Sequence, residues 1–182
     1  MIDRMENRKL TDDDNVKEII NYVDETLYNY AVMIDGEWGC GKTYFIKERL
    51  CEKLKNNENE HYNSDQDYQQ RKIIYISLYG VKSIEEVTKQ LFMEVLVAKA
   101  GKGQGIIKKG TEATEKFVPI KNCILIFDDL ERCDCPTNEI LGYINSFVEH
   151  ENMKVIIVAN QKEIGKGISF ENQELKYLVA AH

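Results

Sequence analysis

Val16, Ile19, Ile20, Val23 and Leu27 recur at helical spacing, behind Thr11 and the run Asp12-Asp13-Asp14. A capping residue and three acids at the positive end of the macrodipole predict a helix start there, with one buried stripe following. Tyr30 to Ile34 is a short continuous apolar run closing in Asp35 and a glycine-rich turn, the pattern of a strand covered on both faces. Phe45, Ile46, Leu50 and Leu54 form the stripe of a second helix. Asn56 to Gln70 then has no aliphatic residue and four acids, and reads as a solvated, flexible loop. Lys72 to Leu78 is a second strand. Ser83-Ile-Glu-Glu86 has the form of a capping box, opening a helix with Ile84, Val87, Leu91 and Val95 on its buried face. Gly101 to Gly110 holds four glycines and three lysines and reads as a flexible basic loop. Cys123 to Phe127 and Lys154 to Ala159 are a third and a fourth strand. Between them, Pro136-Thr137 starts a helix whose Ile140, Leu141, Ile144 and Phe147 face inward.

Strands that alternate with helices, each strand a short apolar run, predict an α/β fold: a parallel sheet with helices on both faces, three layers in all. The reading is a single core over residues 1–182, with a loose, charged N-terminus at 1–10 and flexible loops at 56–70 and 101–110.

Composition narrows the partners. Hydrophobic residues make up 43% and charged residues 30%, and the net charge is −7. An acidic balance does not indicate a nucleic-acid-binding surface. The longest aliphatic runs, such as Val155 to Ala159, are far short of the ~20 residues that span a bilayer. No apolar segment follows the N-terminus, so no secretory signal is read there. Five cysteines, an odd number, read as reduced thiols of a cytoplasmic protein. Cys133-x-Cys135 with His150 downstream is poor zinc spacing.

The chemistry concentrates in two places. Gly36-Glu37-Trp38-Gly39-Cys40-Gly41-Lys42-Thr43 fits G-x-x-x-x-G-K-[ST] at every fixed position, with a buried strand before it and an amphipathic helix after it. Glycines let such a loop curl so that successive backbone N–H groups converge on phosphate. The helix start adds its dipole. Lys42 would bring a point charge to the β- and γ-phosphates, and the Thr43 hydroxyl would bind Mg2+. Ile124-Leu-Ile-Phe-Asp128-Asp129 is an apolar strand closing in two carboxylates, as a Walker B segment requires. Asp128 would hold the metal through its water shell, and Asp129 would orient and deprotonate an attacking water. Asn160 ends the fourth strand. Where an extra strand lies between those of the phosphate loop and the Walker B segment, a polar residue here contacts the γ-phosphate or the water. Tyr75 and Tyr79 share a strand face and read as packing residues. No N-K-x-D guanine motif is present, which favours ATP.

With Trp38 inside the phosphate loop and Asp128-Asp-Leu-Glu-Arg-Cys133 after the third strand, the chain resembles the KAP family of P-loop NTPases, whose patterns are G-x-W-G-x-G-K-[ST] and D-D-L-D-R. The resemblance implies an ATPase core of the additional-strand class, related to AAA+ and STAND switches. It implies ATP and Mg2+ as cofactors, mostly bacterial members in defence or signalling, and a possible nucleotide-dependent oligomer. Some members carry membrane helices between the two motifs; this chain has none there. Cys40 stands where Ser is common, and Glu131 replaces the last Asp. Arg132 is implied to link the Walker B loop to the nucleotide state, and a surface ion pair explains it equally well.

All five arginines (Arg4, Arg8, Arg49, Arg71, Arg132) lie at or before position 132. Related ATPases bring an arginine from a fifth strand or a helical lid, and the segment after Asn160 reads as too short for both. The expectation is a P-loop NTPase sandwich lacking its C-terminal strand and lid, slow in isolation and completed by a partner or effector domain. Two rivals stay open: a nucleotide-binding scaffold with negligible turnover, and a P-loop kinase.

Overall fold

A computed structural model describes residues 12–27, 29–100, 120–149, 153–164 and 175–179. The element order is α1 (Asp12–Asp24), β1 (Ala31–Asp35), α2 (Lys42–Tyr44), a π-helical segment (Phe45–Leu50), α3 (Cys51–Ser64), β2 (Lys72–Ser77), α4 (Ile84–Ala100), β3 (Cys123–Asp128), α5 (Thr137–Glu149), β4 (Lys154–Ala159) and β5 (Leu175–Val179). The strands form one parallel sheet in the order β2-β3-β4-β1-β5. β4 therefore lies between β1 and β3, which makes it the additional strand.

Alternation along the central strands feeds two separate cores. Ala31, Met33, Leu125, Phe127, Val155 and Ile157 point to the face covered by α4 and α5, where Val87, Leu91, Val95, Ile140 and Ile144 pack against them. Val32, Ile34, Ile124, Ile126, Ile156 and Val158 point to the other face, under Ile19, Val23, Ile46, Leu50 and Leu54. Strands buried on both faces must be apolar at every position, which is why they read as unbroken runs.

Three expectations are corrected. Residues 56–70 are not a loop over most of their length: α3 continues to Ser64. Most of its polar residues are exposed, but Glu58 and Asn57 tie it to neighbouring elements. Glu58, 2% exposed, accepts from the Arg71 side chain at 2.8 Å, the Arg71 backbone N–H at 2.7 Å and the Tyr68 hydroxyl at 3.0 Å. Asn57 donates to Asp24 at the end of α1 at 2.9 Å. Next, Leu27 lies beyond the helix end and is 83% exposed. Arg71 and Lys154 side chains donate to the Val23 and Glu25 carbonyls, taking up acceptors that a further helical turn would use. Tyr22 does the anchoring instead: its buried hydroxyl donates to the Tyr30 carbonyl at 2.7 Å and accepts from the Val155 N–H at 3.0 Å. Finally, the C-terminal strand expected to be missing is present. β5 pairs with β1 from Ala31↔Leu175 to Asp35↔Val179. A strand added at a sheet edge needs only backbone groups in register, so a short run suffices. Residues 1–10, 101–110 and any lid segment before β5 lie outside the described residues.

Candidate active site

The site forms at the C-terminal ends of β1, β4 and β3. The Gly36 N–H donates to the Ala159 carbonyl at 3.2 Å, so the loop after β1 starts from the end of β4. Gly39 and Gly41 have φ of 82° and 92°, left-handed values that favour glycine. A Cβ on Gly36 would lie 2.8 Å from Cys40 Sγ and 3.4 Å from Lys42 Cδ, so a side chain there would have to displace the Cys40 thiol. Lys42 folds back over the loop, its Nζ donating to the Gly36 carbonyl and, at 3.2 Å, to the Glu37 carbonyl. The Glu37 carboxylate is ion-paired with Lys162 at 2.8 Å.

Thr43, directly after Lys42, donates from Oγ1 to Asp128 Oδ2 at 2.9 Å. Asp128 is 1% exposed. The same Oδ2 accepts from the Tyr75 hydroxyl at 2.7 Å, and Oδ1 accepts from the Asp129 N–H at 2.8 Å. Asp129 sits in the left-handed region at φ 60°, which Asp tolerates better than most residues. That conformation turns the chain from β3 into a 3-10 turn, Leu130–Arg132. Burial, then the neighbouring Asp128 charge, raise the Asp129 carboxyl above its ordinary value, against the opposing pull of Arg132. Arg132 is 3.8 Å from Asp129, and Ser77 Oγ donates to Asp129 at 3.4 Å. Asn160 is buried at the end of β4, its Oδ1 accepting from the Lys162 N–H at 3.2 Å.

The structure thus gathers Gly36 to Thr43, Asp128, Asp129 and Asn160 at the C-terminal end of the sheet. A glycine concavity capped by a lysine suits phosphate. Among the described residues, no group of three or more His, Cys, Asp or Glu side chains converges as a metal cage. A hydroxyl beside one buried carboxylate is the donor set that fits Mg2+, which takes few protein ligands and is completed by water and substrate phosphate. A family model, the KAP family P-loop domain, matches residues 13–102 and 70–177. The chain belongs to that family. No curated protein matches it.

For a KAP P-loop domain, several contacts here were not read from the chain. The Trp38 Nε1–H donates to Glu131 at 2.8 Å, tying the phosphate loop to the Walker B turn. The Arg132 guanidinium lies over the Trp38 ring at 5.2 Å and over the Tyr79 ring at 5.5 Å from the ring centroids. Both rings are more than half exposed. Of the two readings left open for Arg132, the ion pair corresponds to its 3.8 Å approach to Asp129, and the ring contacts add to it. Tyr75 and Ser77, one pleat apart on β2, reach the two Walker B carboxylates. The alternation of Tyr75, Ser77 and Tyr79 is visible in sequence; that β2 places Ser77 opposite Asp128 is not.

Proposed function

We propose that this chain binds ATP with Mg2+, hydrolyses it slowly, and serves as a nucleotide-dependent switch for a partner or effector domain. The observation that carries the reading is the 2.9 Å meeting of Thr43, the last residue of the phosphate loop, with Asp128 at the end of β3. In this reading the backbone N–H groups from Gly36 to Thr43 bind phosphate, and Lys42 exchanges two neutral carbonyl acceptors for phosphate charge. Thr43 and Asp128 would hold Mg2+, which would supply positive charge against the developing charge of the phosphates. Asp129 takes the proton of the attacking water, a task suited to a carboxylate made more basic by its surroundings. The Asn160 amide orients the γ-phosphate or the water. Arg132 stays engaged with Trp38, Tyr79 and Asp129 and does not serve the transferring phosphoryl group, so turnover is of intrinsic-switch order, 10³–10⁵ below an arginine-assisted rate. An arginine from a second copy or a partner would raise it. A bacterial defence or signalling setting in the cytoplasm is part of the same proposal and rests on the family alone.

Calorimetric titration with Mg-ATP and a steady-state phosphate-release assay test the reading. Lys42→Ala should weaken binding by roughly 10- to 150-fold, the loss of one charge-assisted contact of about 1.5–3 kcal/mol. Equal titration curves for the two proteins would refute it. Binding with no phosphate release would leave the scaffold reading, and release that depends on an added acceptor would leave the kinase.

A further inference from the structure

Asp128 is the buried carboxylate on which the proposed metal site depends, and three donors fix it. Two, the Thr43 hydroxyl and the Tyr75 phenol, meet Oδ2; the third, the Asp129 N–H, meets Oδ1. A carboxylate offers about four lone-pair directions, so this count leaves one, on Oδ1. The donors differ in what carries them. Thr43 belongs to the phosphate loop and must itself answer to the nucleotide. Tyr75 belongs to the sheet. It pairs with Ile126 in the β2·β3 ladder, on the face shared by Ile126 and Asp128, so the ring runs alongside β3 and its hydroxyl reaches the carboxylate two residues on. Lys47 Nζ lies 4.6 Å over the ring, holding it from the helical side. A residue that only filled space would not need its phenol, and here the phenol takes the shorter of the two bonds to Oδ2.

We infer that Tyr75 is a positioning residue for the metal-binding carboxylate: its phenol fixes Asp128 in one orientation whether or not the phosphate loop is occupied. This rests on the ATP and Mg2+ reading above. Partners of this kind orient a metal ligand without touching the metal, and their loss costs about 10- to 100-fold in metal affinity. Tyr75→Phe keeps the ring and deletes only the donor.

Trp38 is the one tryptophan of the chain and lies in the phosphate loop, so its fluorescence reports binding. ATP is titrated in EDTA, and MgCl2 is then titrated at fixed ATP. Tyr75→Phe should leave ATP affinity in EDTA unchanged and raise the Mg2+ concentration for half-maximal response about tenfold. In an Asp128→Asn background the same change should have no further effect, because the tyrosine acts through that carboxylate. Ile73→Val, which trims packing on the same face of β2, should leave the Mg2+ curve in place. Melting midpoints are read for every variant, and the titrations are run at 10 °C so that a loss of stability does not stand in for a loss of metal. An unshifted Mg2+ curve, an equal shift in EDTA, or an equal shift from Ile73→Val would overturn the inference while the proposed function stands. A wild-type chain without Mg2+-dependent ATP binding would overturn both.

Discussion

Glu58 tests whether α3 is a folded part of the domain. Its carboxylate is 2% exposed and accepts from the Arg71 side chain, the Arg71 backbone N–H and the Tyr68 hydroxyl. Glu58→Ala removes all three acceptor contacts at once. What remains is a guanidinium 19% exposed, still pinned to the Val23 carbonyl and 3.4 Å from Asp24. Breaking one side of a buried pair costs about 3–5 kcal/mol, and the surviving Asp24 contact argues for the lower end, about 3 kcal/mol. A loop residue in solvent would cost under about 0.5 kcal/mol. For a domain of this size, 3 kcal/mol corresponds to a fall of about 6–12 °C in melting midpoint. The assay is urea unfolding at pH 7 followed by far-ultraviolet circular dichroism, with a thermal melt alongside. Adding Arg71→Met to Glu58→Ala should recover part of the loss, because much of it lies in the orphaned cation. A single-variant change below about 0.5 kcal/mol would refute the reasoning and restore the flexible-loop reading of residues 56–70.

The other predictions concern the site. Asp129→Asn should abolish phosphate release, keep ATP binding and raise the melting midpoint of the nucleotide-free protein at pH 7. The sign follows from the raised carboxyl: the folded state holds this proton more tightly than the unfolded chain, so the group stabilises below its unfolded pKa and loses that contribution as pH rises through its folded value. The gain from Asn should therefore shrink between pH 7 and pH 4, and a gap that does not change with pH would refute the assignment. Arg132→Ala should make Trp38 more accessible to acrylamide quenching and cost less than about 1 kcal/mol of stability, since cation–π contacts at exposed sites are worth about 0.5–1 kcal/mol. Unchanged quenching would show that the stack does not persist in solution.

The periods of two and of 3.6, with the glycine loop and the two acids, are local signals. They were enough to place four strands, the helices between them and the residues from Gly36 to Thr43, Asp128, Asp129 and Asn160. Burial on both faces writes itself into consecutive residues, and a phosphate loop needs its glycines at fixed spacing. What only the tertiary structure decided were pairings between distant segments. Residues 56–70 read as a loop because nothing in that stretch shows that Glu58 meets Arg71 and that Asn57 meets Asp24. β5 runs against the expectation that the segment after Asn160 is too short for a strand and a lid, because an edge strand is specified by the open backbone of β1 as much as by its own side chains. Tyr75 read as packing because a tyrosine on a strand face serves equally as filler or as donor, and the choice is made by register. Pairing β2 to β3 with Tyr75 opposite Ile126 puts the phenol 2.7 Å from Asp128, and a slip of one residue would turn it to the other side of the sheet.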